Sequence, residues 1–501
     1  TTKLQLKGAD GSTLSLLQPS LHSKKKTTAK KQTLSCSVKY MVCFMFSVKS
    51  ETEKFVEEEL CNISMPEMMG KEGRFQYTIT DVKITELILA HAELQFIPDV
   101  GLLFDIQNSS ISLSFHRQIL YWFFYDTGNI NASAEGVNIN TAVNLIRDHE
   151  GRLKINNITC DAKINRMRAK FSGTLGKVYD FVAKFLTTGM RFFLNQRICP
   201  ALNHAALVHV NSLLETIPVR TEVDNYIGID YSLIEDPVVT SRSLDMHFRG
   251  MFFDLSHQNL TLVNYAVDPI IREYDRMVYL ALSEFFFDSG MFSYYTAGIF
   301  QMDIVNEKMP KDLEMLLRTT YFGTIMITNP ALVDAPLALQ LAVNSPPKTT
   351  IKTSGATVFM TAIVKVMLLP PGQPAVQLSS MTLEAKFNAK VSMKGKRLAV
   401  HADLHMFSED SYTGLSVISA PVYLQLIPLQ APLKTMLQMS VVPLINNWTK
   451  RGVRIPLADG MDFVEEVVEY HNGFIVIGAN LHFSKGLREM MLGNTNSTTM
   501  A

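Results

Sequence analysis

Very little in this chain is spaced for catalysis. A serine hydrolase presents its nucleophile on a tight strand-to-helix turn, read as G-x-S-x-G. Ser416, in Gly414-Leu-Ser-Val-Ile418, lacks the second glycine. Gly173-Thr-Leu-Gly-Lys177 imitates a phosphate-binding loop at the wrong spacing, and neither H-E-x-x-H nor G-x-G-x-x-G occurs. The 12 histidines are scattered, and each reads more simply as a surface or satisfied core residue than as a base or ligand. The five cysteines, Cys36, Cys43, Cys61, Cys160 and Cys199, include no C-x-x-C pair, so neither a zinc knuckle nor a thioredoxin-type site is signalled. The sequence predicts no enzyme, no cofactor and no metal site. A lipid hydrolase stays as a remote rival, because many hydrolase sites leave no mark in one sequence.

Covalent chemistry of another kind is signalled. Seven Asn-x-Ser/Thr acceptor triplets begin at Asn62, Asn108, Asn131, Asn157, Asn259, Asn447 and Asn496. Glycosylation of such triplets happens only on the secretory route, which also permits disulfides. An odd number of cysteines leaves at least one thiol unpaired. A bridge between Cys160 and Cys199, 39 positions apart, would be worth about 4 kcal/mol in the chain-entropy account. A secreted, extracellular protein is expected.

The residues that could do physical rather than covalent work are aromatic. Leu120-Tyr-Trp-Phe-Phe-Tyr125 runs directly into Asp126-Thr-Gly-Asn129, a turn signal that places the aromatics at or near a hairpin tip. Tryptophan and tyrosine favour the boundary between apolar and wet surroundings. Trp122, Phe123, Phe124 and Tyr125 then form a wedge for a lipid surface, or else a strand buried on both faces.

Bulk composition agrees with a carrier of apolar cargo. Of 501 residues, 47% are hydrophobic and 19% charged, with 47 basic and 47 acidic side chains. A formal charge of zero argues against nucleic acid as partner, since phosphate binding needs a basic surplus, and it weighs more weakly against an anionic lipopolysaccharide. No 18-residue window is apolar and uncharged; the closest, Val358 to Leu369, is short and carries Lys365, so no membrane span is predicted. The 26 methionines suit either an irregular core or a surface that accepts variable ligands.

Two kinds of element must hold these residues. Period-two stretches read as strands: Phe75, Tyr77, Ile79; Ile111, Leu113, Phe115; and Met381, Leu383, Ala385, Phe387, Ala389, Val391, Met393. The last meets a Lys394-Gly-Lys396 turn and continues as Leu398, Val400, Ala402, Leu404 and Met406, a long hairpin with one apolar face. Strands this long suit a highly twisted antiparallel sheet wrapped around something. Helical spacing appears at Val178, Phe181, Val182, Phe185, Met190 and Phe193, with Pro200 expected to kink or break the helix. A second helix is expected from Pro432 through Leu433, Met436 and Leu437, and a shorter one after Ser283 as N-cap. Each half thus carries strands and a long helix, which suggests a duplicated unit of about 200 residues. Its joint is expected in Gln258 to Pro269. Residues 1–50 differ from the rest: eight lysines against one acidic residue up to Lys39 predict disorder. The apolar run 41–46 is too short for a signal-peptide core, so the signal peptide is expected to be missing from this chain.

Several stretches are similar to one family. Gly70-Lys-Glu-Gly-Arg-Phe75, Tyr121-Trp-Phe-Phe-Tyr-Asp126, Asn131-Ala-Ser-Ala-Glu-Gly136, Lys177-Val-Tyr-Asp-Phe181, Gly228-Ile-Asp-Tyr-Ser-Leu233, Phe285-Phe-Phe-Asp288 and Leu426-Ile-Pro-Leu-Gln-Ala-Pro-Leu-Lys-Thr-Met-Leu437 resemble the family of bactericidal permeability-increasing protein, lipopolysaccharide-binding protein and cholesteryl ester transfer protein. The resemblance spans roughly residues 50 to 490. It implies an α+β boomerang of two similar barrels, each a highly twisted antiparallel sheet wrapped on a long helix, joined by a central β-sheet. On that pattern 51–235 is the N-terminal lipid-binding barrel, 236–270 central strands and linker, 271–457 the C-terminal barrel, 458–485 return strands, and 486–501 a disordered tail. It also implies a Cys160–Cys199 disulfide. The apolar helical faces of the two halves place a first lipid pocket at Phe181, Phe185, Met190 and Phe193 and a second at Phe286, Met291, Met436 and Met439, and the resemblance implies that Met190 faces the first. The implied function is transfer of phospholipids between lipoprotein particles, of the high-density type, or membranes, with no covalent step. The alternative is an innate-immunity binder of bacterial lipopolysaccharide.

Overall fold

The computed structural model describes residues 36–63, 65–170, 176–305, 309, 311–315, 335–414, 427–486 and 489. The expectations for residues 1–35 and for the tail beyond 489, with Asn496, lie outside the described residues, as do Ser416 and Gly173. No described helix is long and apolar enough to cross a membrane.

Along the chain, β1 (Cys36–Met41) leads straight into α1 (Val42–Cys61). Residues 36–50, expected without structure from their charge balance, therefore join the fold. Pairing of Cys36–Tyr40 on both sides, to strands near 243–248 and 278–282, satisfies the backbone of β1 and overrides the polar residues before it. Then come β2 (Met68–Glu72), β3 (Phe75–Ile88), β4 (His91–Ile97), β5 (Gly101–Tyr121), β6 (Phe124–Arg147) and β7 (Leu153–Lys170). They form one antiparallel sheet in the order β2-β3-β5-β6-β7, with β4 on β5. The ladders slip at Thr80/Lys83 and Ile106/Ser109, beside Asp81 and Asn108, whose φ is positive. Bulges of this kind add local twist, which curls strands of 21 and 24 residues instead of leaving them flat.

Helix α2 (Gly176–His204) runs through Pro200 without ending, and a π-helical stretch, Ala205–Val210, follows before α3 (Asn211–Glu215). The break expected at Pro200 is thus displaced by one turn. Next are β8 (Arg220–Glu222), β9 (Ile227–Asp230), β10 (Val238–Val239), β11 (Ser243–Phe248) and β12 (Met251–Asp254). A segment without regular structure, 255–277, leads to β13 (Val278–Ser283) and α4 (Glu284–Thr296). Ser283 holds the N-cap position with extended backbone, but its side chain makes no capping bond.

The second curled sheet contains β14 (Gln301–Val305), β15 (Leu337–Val343), β16 (Lys348–Lys352), β17 (Gly355–Leu368), β18 (Val376–Lys394) and β19 (Arg397–Gly414). Its order is β14-β15-β17-β18-β19, with β16 on β17. The alternation read for the late hairpin holds: Met381, Leu383, Ala385, Phe387, Val391 and Met393 are buried, and Lys394 pairs Arg397 across a turn at Gly395. Helix α5 (Ile427–Met436) already contains Pro432 as an interior residue, earlier than Pro432 as a first-turn residue implies. A π-helical stretch, Leu437–Val441, and α6 (Val442–Thr449) continue it. The chain ends with β20 (Val453–Arg454) on β19, then β21 (Met461–His471) and β22 (Phe474–Phe483). These last two complete a six-stranded sheet, β10-β11-β1-β13-β22-β21, drawn from both ends of the chain.

The two halves match in detail. Each helix run carries a proline followed five residues later by a π-helical stretch: Pro200 before Ala205, Pro432 before Leu437. Each also carries, beyond the π-helical stretch, an asparagine that bridges one strand residue. The Ile155 N–H donates to Asn211 Oδ1 at 2.8 Å, and Asn211 Nδ2 donates to the Ile155 carbonyl at 3.1 Å. Asn446 does the same to Ala402 on β19, at 2.7 and 2.9 Å. The disulfide Cys160–Cys199 adds a covalent tie from β7 to α2 in the first half only.

Candidate functional site

The aromatic run is the tip of the β5–β6 hairpin. Tyr121 pairs Phe124, so Trp122 and Phe123 alone make the turn. The Asp126–Asn129 signal is not the turn; those residues pair with Ile119, Gln118, Arg117 and His116 inside the ladder. Trp122 takes φ +57°, a region costly for a bulky residue. Local contacts hold it there. Its N–H donates to the Arg74 carbonyl, the Arg74 guanidinium lies 4.6 Å over the indole, and Phe123 stacks on it at 5.3 Å. Behind the tip, Arg117 is buried and bonds Asp126 Oδ2 through Nε at 3.0 Å and a terminal nitrogen at 2.6 Å. Tyr121, Trp122, Phe123, Phe124 and Tyr125 are all exposed, Phe123 at 88% and Trp122 at 59%. A strand buried on both faces is excluded.

The interior of the first half is built on a different ridge from the aromatic one. Leu186, Met190, Leu194, Ile198 and Leu202, each four apart, are buried against Ile79, Leu113, Phe115 and Ile139 of the sheet. Met190 belongs to this ridge, and Phe193 is half-buried beside it, while Phe192 is exposed. The side chains of Phe181 and Phe185 lie outside the described residues. A period of four is visible in the sequence at these leucines, but the larger aromatics draw the eye first. Near this helix a cavity of about 970 Å³ opens, lined by Leu113, Ala132, Met167 and Ala169 and also by Ser112, Asn131 and Lys184. Neither Met190 nor Phe193 lines it.

The four residues expected around a second pocket are divided. Phe286 is buried against Phe252 and Phe287, at 5.1 and 5.3 Å, among residues of the central sheet, with Met291 half-buried on the same helix. Met436 is buried with Leu433, Leu339 and Val364 in a separate cluster. Met439, three residues on, turns outward at 72% exposure. A helix carries residues three apart to the same side only where its turns are regular, and the π-helical stretch begins at Leu437.

Other groups are poor reagents. Burial pushes the Cys36 thiol up to about 12, so it stays protonated and inert. Burial, and then Glu57 and Glu58, raise Cys61 as well. The acceptor residues Asn62, Asn108, Asn131, Asn157, Asn259 and Asn447 are all exposed.

Comparison with known proteins matches the description "LBP / BPI / CETP family, N-terminal domain" over residues 47–217 and "LBP / BPI / CETP family, C-terminal domain" over 221–483. The chain belongs to the LBP / BPI / CETP family. It is 53% identical over 459 residues to the phospholipid transfer protein of Homo sapiens, covering 92% of each chain. It is 25% identical to human lipopolysaccharide-binding protein, over 86% of this chain and 90% of that one. A crystal structure of lipopolysaccharide binding protein matches with a TM-score of 0.61 at 20% identity, covering 90% of this chain and all of that one. The paired curled sheets are this family's α+β boomerang fold.

Proposed function

We propose that the protein is a secreted carrier that moves phospholipids between lipoprotein particles, of the high-density type, or membranes, without making or breaking a covalent bond. Identity of 53% along 92% of a phospholipid transfer protein supports the substrate class. The observation that carries the mechanism is the exposed aromatic tip: five large apolar side chains stand in water at the end of a hairpin, where they contribute nothing to a core. Trp122, Phe123, Phe124 and Tyr125 enter a lipid surface. The acyl chains then pass to apolar interior beneath the curled sheets. Each buried methylene is worth about 0.8 kcal/mol, so the barrier to moving two chains through water falls when they stay covered. The zwitterionic head group stays wet, because burying it without partners is costly. Met190 and Phe193 in the first half, and Met436 in the second, are the helix residues nearest that path by this reading, with Asn62, Asn108, Asn131, Asn157, Asn259 and Asn447 as glycan acceptors.

A lipopolysaccharide binder shares the fold, but a tip of aromatics in a chain of zero net charge does not attract an anionic saccharide. The test is transfer of a fluorescent phospholipid between neutral vesicles. Trp122→Ala/Phe123→Ala/Phe124→Ala should transfer at least tenfold more slowly and bind vesicles less, with its melting curve in place. Full-rate transfer by this variant removes the wedge from the mechanism; no transfer by the native chain refutes the carrier reading.

A further inference from the structure

Away from the tip and the apolar interiors, three side chains have the donor set and spacing of a divalent-cation site. Glu273 lies on the 255–277 segment. Glu469 and His471 are two apart on β21, the edge strand of the central sheet, so both leave the same face. One donor atom from each lies within 4.8 Å of the other two. His471 Nε2 is 3.4 Å from Glu273 Oε1 and 3.9 Å from Glu469 Oε2. A charge-assisted bond between imidazole and carboxylate would close to about 2.7–2.9 Å, and neither distance does. The Nε2 atom is nonetheless shielded from solvent and makes no hydrogen bond. A polar atom is thus aimed between two carboxylates and bonded to neither.

Two ligands of one tetrahedral zinc ion, with bonds of about 2.0–2.2 Å, stand about 3.3–3.5 Å apart. The Nε2–Oε1 separation falls in that range. The ring is already oriented, stacked on Phe474 with centroids 5.0 Å apart and planes at 12°. Glu273 is oriented too, since its second oxygen accepts the Arg272 N–H at 2.9 Å. Glu469 is the most exposed of the three and can rotate to close the set. One imidazole and two carboxylates suit zinc, whereas calcium asks for six or more oxygens. We propose that Glu273, Glu469 and His471 bind one Zn2+ ion, with water in the fourth position, and that the ion fastens the 255–277 segment to the edge of the central sheet.

The full chain, stripped with a chelator and dialysed against Zn2+, should retain one ion more per molecule than either His471→Ala or Glu273→Gln. Co2+ in its place should give visible bands of tetrahedral intensity, lost in both variants. Zn2+ should also slow proteolysis within 255–277 of the native chain and leave that of the variants unchanged. Absence of the extra ion, or its survival in both variants, overturns the site. Glu273→Gln keeps the side chain's shape and decides alone if His471→Ala does not fold.

Discussion

The β5–β6 and β17–β18 connections hold the same place in two sheets of the same strand order, yet they are made of opposite materials. The first is a two-residue turn of Trp122 and Phe123. The second is Leu369-Pro-Pro-Gly-Gln-Pro-Ala375, exposed from Pro371 onward and without a large apolar side chain in that stretch. Prolines fix the backbone but add no depth to insert into lipid. The scaffold is repeated down to details: Gly101 and Gly355 open the fifth strand and its counterpart with φ +127° and +131°. On the proposed function, capture of a lipid surface therefore falls to the β5–β6 hairpin alone of these two connections, while the curled sheets and helices that make apolar interior recur in both halves.

The halves also differ in what secures their helices. Only the first has the Cys160–Cys199 bridge, and all cysteines precede residue 200. Reduction, or Cys160→Ala with Cys199→Ala, should cost the first half about 4 kcal/mol. Calorimetry with and without reductant should lower one transition and leave that of the second half in place; equal shifts would mean that the halves melt as one unit.

Helix α4 shows a pH-dependent tie in the second half. The Thr349 N–H donates to Asp288 Oδ1 at 2.6 Å and the Ile351 N–H to Glu284 Oε1 at 2.7 Å, so two carboxylates one turn apart cover the free edge of β16. Burial pushes the Asp288 carboxyl up to about 6, against the pull of Thr349 and with a further push from Glu284. Its folded value lies above the ordinary 3.8, so the folded chain holds this proton more tightly than the unfolded one. The resulting stabilisation is complete below about pH 3.8 and is lost as pH rises through about 6. Asp288→Asn should raise stability at pH 7.5 by up to about 3 kcal/mol and flatten melting against pH over that window. An unchanged pH profile would clear Asp288.

Asn211→Ala and Asn446→Ala test the repeat directly. Each strands one buried backbone pair, and each should cost about 1–3 kcal/mol in chemical denaturation. Similar losses in both would establish equivalent clamps; a loss at one alone would break the comparison. The smallest effect is expected at the tip. Replacing Trp122-Phe123 by Gly-Asn suits a two-residue turn whose first residue alone has positive φ and should change melting by less than about 0.5 kcal/mol, or raise it slightly by relieving the backbone at Trp122.

Much of this architecture was legible because it rests on period. The alternation from Met381 to Met393 is buried residue by residue as the pattern states. Turn chemistry misled at the tip. Asp126–Asn129 has the residues of a turn, but Trp122 bends the chain, its left-handed backbone secured by Arg74, a residue 48 positions away that no local rule includes. The pocket residues were the least legible. An apolar face on a helix does not say which side chains close the core and which stop short of it, and the π-helical stretch after Pro432 rotates Met439 away from Met436. Asn211 and Asn446 were invisible for the opposite reason: a lone polar residue near a helix end looks ordinary until the strand it meets is known.

Those two asparagines have a consequence for solubility. A strand edge with bare N–H and C=O groups is a template for another chain, and long, regular strands are the most hazardous templates. β7 ends the first sheet, and β19 is covered by β20 only at Arg397 and Leu398. At Ile155 and Ala402 an amide side chain occupies both ladder groups, as one residue of an incoming strand would. Sheet growth from one molecule to the next is blocked there by a single side chain. Loss of either asparagine should therefore show in aggregation on storage before it shows in lipid handling.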